Sequence, residues 1–383
     1  MNRSIYLVLL FLCIASVASS RTWTVERDGA GDFSTLHPAV TAAADGDTVL
    51  IGPGLYTEQV EFVSPGFTAP VNCHFEDKGL TLIGAGRGVT VINAGEVGKS
   101  KVVQDYNMVI LSRGRKIEIR DLTMGGGFKG LELSGDLLME SVDIVDTSQG
   151  GVTCWESDLV ILRECRFERT AGYAVVSWTP GIRVEMYDCH QVEGEGLLYL
   201  DGGGEGLAED CTLQSCTSGF GVVHGSTIVI RRCQATDHQR VAVYAATGGW
   251  AQVYDCVVEG PGTCLVASID GRVTGSGNEL SSSVLPVLYG NSRGIIEIHE
   301  CHLLRSGEAE YVDLQYYNPD HGVFYWDLTN NWWGTTDTAV IDEWIRDGHD
   351  DPSVSAFVLY EPFHGGPVSN EDMSWGGVKS LFR

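Results

Sequence analysis

The sequence is short of cations. Against 51 Asp and Glu it carries 25 Lys and Arg, a formal net charge of −26 over 383 residues. Nucleic acids and anionic membranes are recognised through clustered cations, so this balance argues against both as partners. An acidic polysaccharide is equally awkward unless a cation bridges the two. Past residue 20 no apolar window is long enough to span a bilayer. Zinc-type His and Cys spacings are missing, and so is a Gly-rich phosphate loop running into a helix. Pro is scarce, at 11 residues against 48 Gly. What is present is 43% hydrophobic residues, enough to bury a sizeable core and to exclude wholesale disorder.

Residues 1–20 read as a secretory signal peptide. Arg3 precedes the apolar run from Ile5 to Val17, and the small residues Ala18-Ser19-Ser20 offer a cleavage site after Ser20. Leu12 before Cys13 does not fit a lipoprotein signal. The mature chain is therefore expected to be secreted, whether extracellular, periplasmic or at the cell surface.

Self-similarity dominates the remainder. The pattern apolar-x-apolar-x-x-Cys-x-apolar recurs as VILRECRF (160–167), VEMYDCHQV (184–192), IVIRRCQA (228–235), AQVYDCVV (251–258) and IEIHECHL (296–303). Its key position falls at Leu122, Val142, Cys165, Cys189, Cys211, Cys233, Cys256, Asn278 and Cys301, at intervals of 20 to 24 residues. Between these lie Gly-, Val- and Tyr-rich segments such as GGVTCWES (150–157), GYAVVSW (172–178) and GLLYLDG (196–202). Each unit thus holds two or three short β-type segments separated by Gly and polar turns. Leucine-rich repeats need a helical second half, and propeller blades need about twice this interval. The period fits one coil of an all-β, right-handed parallel β-helix solenoid, with about eleven coils over residues 21–360.

In such a solenoid the repeated cysteines form an inward ladder at a turn, with Asn278 on the same column. They are expected to be buried thiols acting as small hydrophobes. Secretion and an even count of ten mature Cys make disulfides the competing reading, above all for Cys73, Cys154, Cys216 and Cys264, which lie off the ladder. Open ends need caps. Thr35 or Ser34 is placed to N-cap a short helix carrying Leu36, Val40 and Ala43 on one face and ending at Gly46, with a strand from Asp47 to Ile51 after it. Residues 361–383 form a tail that ends in SWGGVKSLFR, for which a sorting tag and a plug on the last coil are both open.

The opening segment resembles the pectinesterase type within the secreted pectin-lyase-like β-helix proteins. Asp28, Gly29, Gly31, Asp32, Phe33, Gly46, Asp47, Thr48, Pro53, Gly54, Tyr56 and Glu58 carry that resemblance. At the other end TNNWWGTTDTAVIDEWIRDGHDD (329–351) is similar to the closing segment of many bacterial β-helix repeat proteins. The resemblance implies the fold over nearly the whole mature chain. It brings no active site, because the pectinesterase segments Q-A-V-A-L, D-F-I-F-G and G-R-P-W are absent, as are N-T-D and D-P-H-E. Asp350-Asp351 looks like a hydrolase carboxylate pair but sits in the closing segment next to Pro352.

Candidate residues come instead from aligning the repeats on their leading Gly. Glu156, Asp201 and His224 then share one sheet edge, with Asp201 and His224 about one strand spacing apart and Glu156 roughly 9–10 Å from Asp201. Two carboxylates at that separation suit an inverting glycosidase, and a carboxylate beside His suits a general base. Trp155 and Trp178 are placed to stack on sugar rings. Arg113 and Arg115, with Lys116 and Arg120, form a cationic cluster that offers substrate contacts. A plain solvated edge is the alternative for the first set and charge balance for the second. An acidic stripe, Asp121, Glu164, Asp188, Asp210, Asp255 and Glu300 interrupted by Arg232, invites Ca²⁺, against exposed turn residues. The expected function is recognition of extracellular polysaccharide, with modification as its stronger form, by a monomer. The competing classes are a non-catalytic adhesive solenoid that binds proteins or another cell-surface component, and a polysaccharide lyase or glycoside hydrolase.

Overall fold

The computed structural model of the chain describes residues 20–64, 67–95, 108–305, 310–317, 320 and 322–368. The expected signal peptide, save Ser20, and the SWGGVKSLFR segment lie outside the described residues.

Val- and Ile-rich segments of three to six residues form strands that stop at corners where the backbone turns left-handed. Apart from Val60–Ser64, which pairs antiparallel with the strand Phe67–Gly84, the strands of the coils pair in parallel with their counterparts one repeat later, so the chain winds into a parallel β-helix of about twelve turns. Three faces result. Face I stacks Lys129–Ser134, Gly150–Trp155, Tyr173–Ser177, Gly196–Leu200, Ser218–Val222, Val241–Ala246, Thr263–Ser268, Leu288–Asn291 and Val312–Gln315. Face II includes Leu159–Arg163, Arg183–Tyr187, Glu205–Glu209, Thr227–Arg231, Trp250–Tyr254, Arg272–Ser276 and Ile295–His299. Face III includes Arg166–Glu168, His190–Val192, Thr212–Gln214, Gln234–Thr236, Val257–Gly260 and Glu279–Ser282. In the first coils the long strands Phe67–Gly84 and Met108–Gly125 run across more than one face. Alternate side chains point inward, and the inward set of face II (Val160, Val184, Gly206, Ile228, Ala251, Val273, Ile296) stacks in strict register.

The corner between faces II and III accounts for both the cysteines and the acidic stripe. Asp121, Glu164, Asp188, Asp210, Arg232, Asp255 and Glu300 all hold φ between 49° and 57°. Short polar residues tolerate this left-handed region best, and the side chain there points to solvent. The stripe is thus a column of corner residues. The next residue turns inward as the ladder. Cys233 N–H donates to Cys256 Sγ (3.4 Å), Cys256 N–H to Asn278 Oδ1 (3.0 Å) and Asn278 N–H to Cys301 Sγ (3.4 Å). Cys301 N–H donates to Asn331 Oδ1 (2.8 Å), so Asn331 extends the ladder into the closing segment. All ten cysteines from Cys73 to Cys301 are buried free thiols, the four off the ladder included.

Both ends are covered. The N-terminal helix Leu36–Ala42 buries Leu36, Ala39 and Val40 on the first coil, next to strands Thr22–Val25 and Thr48–Ile51. Thr35 takes the N-cap position without a side-chain bond, and the helix stops at Ala43 rather than at Gly46. Lys78 explains the early stop: its Nζ donates to the free carbonyls of Val40 (2.6 Å), Thr41 (3.3 Å) and Ala43 (2.7 Å). At the far end Phe324–Asp327 pairs with Ala356–Leu359, and helix Thr338–Trp344 starts at Asp337, whose Oδ1 accepts from Ala339 N–H (3.0 Å). Buried Trp326 slides over Gly290, where a Cβ would lie 2.1 Å from its Cζ2.

Candidate functional site

Face I and the edge that follows it hold most of the sequence candidates. The register sets Cys154, Ser177, Leu200, Val222, Ala245 and Ala267 in one inward column. Glu156, Asp201 and His224 therefore do not share a column. Asp201 lies one position beyond that column, while Glu156 and His224 lie two beyond it, at left-handed corners with φ of 52° and 49°. The leading Gly used to align the repeats is not equivalent between coils: Gly196 pairs with Tyr173, not with Gly172.

Asp201 and His224 nevertheless meet. His224 Nδ1 is 2.6 Å from Asp201 Oδ1, diagonally across one coil step. The imidazole is exposed, at 58%, and the carboxylate mostly covered, at 21%. A carboxylate on Nδ1 fixes the ring and leaves Nε2 free to act on a bound molecule. Glu156 sits three coils below His224, and its backbone N–H donates to Thr179 Oγ1 at 3.0 Å. Trp155 and Trp178 stack on each other with ring centroids 5.1 Å apart and planes 27° from parallel. Each ring covers one face of the other, so the pair offers one free face per ring.

The cationic cluster divides. Arg113 lines a hollow of about 380 Å³ on face I together with Glu132, Ser134, Trp155 and Glu156. Its guanidinium lies 3.9 Å from Glu76. Arg115 lies in the same long strand Met108–Gly125, between its face I and face II stretches, and is paired to Asp45. Lys116 and Arg120 both reach Glu118, at 2.8 and 3.2 Å. Asp350 and Asp351 build a turn: Asp350 Oδ2 accepts from Asp347 N–H, and Asp351 Oδ1 from Ser353 N–H and Oγ.

A larger groove was not singled out from the sequence. It measures about 770 Å³ on the outer surface of face I, and Tyr173, Tyr199, Tyr244 and Tyr289 line it with Val241, Val266, Leu285 and Pro286. Tyr199, Gly221, Tyr244, Val266, Tyr289 and Asp313 form one outward column, read coil by coil from the strand register. Burial, with Glu195 nearby, pushes the Tyr173 hydroxyl up to about 12. Burial and Asp201 likewise raise Tyr199. These rings stay neutral at ordinary pH. Tyr173 and Tyr199 stand in GYAVVSW and GLLYLDG, but the common facing of Tyr199, Tyr244 and Tyr289 is legible only with the register.

The family model described as right handed beta helix region matches residues 87–280. The chain belongs to the right-handed β-helix family. Among solved structures, the fold of this β-helix protein is similar to an alginate lyase from Paenibacillus sp. str. FPU-7, with TM-score 0.51 and 12% identity over 77% of this chain and 98% of that one. Pectate lyase Pel9A superimposes with TM-score 0.47 and 12% identity, over 78% of this chain and 80% of its own. A mannuronic acid specific polysaccharide family 6 lyase from human gut microbiota gives 0.47 and 11%, over 94% of both chains. At these identities the likeness is one of fold. No curated protein matches the sequence.

Among the described residues no three His, Cys, Asp or Glu side chains of the β-helix converge as a set of metal ligands. Along the acidic stripe, charge is relieved by Arg232, whose guanidinium meets Asp210 at 2.8–2.9 Å and Glu209 at 2.7 Å. No helix among the described residues is long and apolar enough to cross a membrane.

Proposed function

We propose that this β-helix protein is secreted and binds an extracellular polysaccharide, as a monomer, along face I. The observation that carries the reading is the row of half-buried tyrosines in the 770 Å³ groove of face I; Trp178 and the Asp201–His224 pair lie just past the ends of strands of the same face. Aromatic faces take the apolar sides of sugar rings, and carboxylates accept bonds from sugar hydroxyls. The alginate lyase of similar fold is, by its name, a polysaccharide-acting enzyme, which agrees with this reading.

The 2.6 Å contact between His224 and Asp201 favours a second reading, turnover of the bound glycan with His224 Nε2 as general base. Direct binding and product release over a panel of neutral and acidic glycans, with and without Ca²⁺, test both. Silence across the panel removes the polysaccharide reading and leaves the protein-binding solenoid. Where product appears, His224→Ala and Asp201→Asn should each lower the rate by roughly 10²–10⁴ while binding persists. An unchanged rate removes the catalytic reading.

A further inference from the structure

The tyrosine groove holds more than a generic affinity for sugars. Its outward column alternates: Tyr199, then Gly221, then Tyr244, then Val266, then Tyr289. The alternation places an aromatic ring at every second coil, roughly 9–10 Å apart. At the intervening coil the side chain is small. Gly221 leaves room for the Tyr199 ring, since a Cβ there would lie 2.7 Å from its Cδ2. The platforms are thus spaced by about one disaccharide step of an extended glycan, parallel to the solenoid axis. In a two-fold glycan, alternate rings turn the same face the same way, so such a comb engages every second ring.

Charge narrows the class. Arg240 is the one cation on the groove lining among the described residues, against Glu195 and Asp313. Asp313 is nearly covered, with Gln315 Nε2 donating to it at 2.6 Å and Arg346 at 3.8 Å. A polyuronate would bring a carboxylate on every ring to this lining, on a chain with formal net charge −26. A single cation does not offset that row. Hydroxyls, by contrast, donate well to Glu195 on the lining.

We infer that the tyrosine groove of face I is built for an uncharged, extended two-fold glycan lying along the axis, with every second ring on Tyr199, Tyr244 or Tyr289. The inference rests on the polysaccharide reading above and names its substrate class.

Isothermal titration of the full chain with cellohexaose, mannohexaose, maltohexaose, polygalacturonate and alginate tests it, the last two with and without Ca²⁺. Cellohexaose or mannohexaose should bind tightest. Tyr244→Ala should weaken that binding about tenfold or more, as loss of a central aromatic anchor does. Tyr244→Phe, which keeps the ring, should retain it and serves as the folding control. Arg240→Gln should change it by less than about threefold. Tighter binding of polygalacturonate or alginate, or an Arg240→Gln loss, overturns the uncharged class. Equal or tighter binding of maltohexaose, whose chain coils, overturns the two-fold geometry. Either result leaves the polysaccharide reading intact. Binding unaffected by Tyr244→Ala moves the site off the comb, and silence toward every glycan removes both readings.

Discussion

Replacing Asn278 tests the ladder at the one interior position where its chemistry changes. Asn278 is 1% exposed. Its Oδ1 accepts from Cys256 N–H at 3.0 Å, and its Nδ2 donates to Val253 O at 2.9 Å. Asn278→Ala leaves the Cys256 N–H buried without a partner, costing about 1–3 kcal/mol, and removes a second bond worth about 1 kcal/mol. The sum is about 2–4 kcal/mol. Asn278→Cys instead restores the arrangement one coil below, where Cys256 Sγ accepts from Cys233 N–H. It should cost less than about 1.5 kcal/mol, because sulfur still satisfies the donor. A solenoid need not unfold in one step, so the effect is best read locally. Native-state hydrogen exchange at the Cys256 amide should accelerate roughly 30- to 700-fold in the Ala variant, at 1.4 kcal/mol per decade, and far less in the Cys variant. Equal exchange in the two variants would refute the view that the ladder works by satisfying the amide of the coil below.

Three other outcomes are expected. The ten buried thiols should resist a thiol reagent at pH 8 in the native protein and all react once it is unfolded, because burial pushes Cys73, Cys154 and Cys301 up to about 12; a disulfide in the mass spectrum would contradict this. Asp47 accepts from the Arg21 and Ala44 amides and from Trp23 Nε1, and these bonds hold its carboxyl below the ordinary value. Its stabilisation is therefore complete above about pH 4 and fades as the pH falls through the lower folded value; exchange of the Arg21 and Ala44 amides should rise on acidification in the native chain, and Asp47→Asn should flatten that dependence. Gly290→Ala should cost about 1–3 kcal/mol and disturb the Trp326 fluorescence, since a Cβ meets that indole at 2.1 Å; an unchanged spectrum and melting temperature would show that the cap can shift.

The fold was legible because one coil is a short sequence period. The corner after face II is a single left-handed residue followed by a buried one, so Cys165 to Cys301 keep their spacing and mark the turns. Face I has no such marker. Its strands are entered through turns of varying length, and aligning them on Gly slides the register by one or two positions. That slide put Glu156, Asp201 and His224 on one column. The last two still come together because a diagonal neighbour across one strand step is within side-chain reach. The same slide hid the tyrosine column, since Tyr199 and Tyr244 line up only when their strands are paired correctly. Asn331 escaped notice because its corner follows a longer excursion than the regular repeat.

Stacking one coil per period makes sequence length a ruler with a phase. Excising Cys211–Arg232 would join two equivalent corners, keep the inward columns continuous and shorten the molecule by one strand spacing, ~4.8 Å. It would also remove Gly221 and bring Tyr199 directly beside Tyr244, changing an alternating surface into a crowded one. Removing two whole coils would restore the alternation in a shorter molecule. Repeat number thus sets both the length and the beat of whatever face I displays, while the core beneath stays the same.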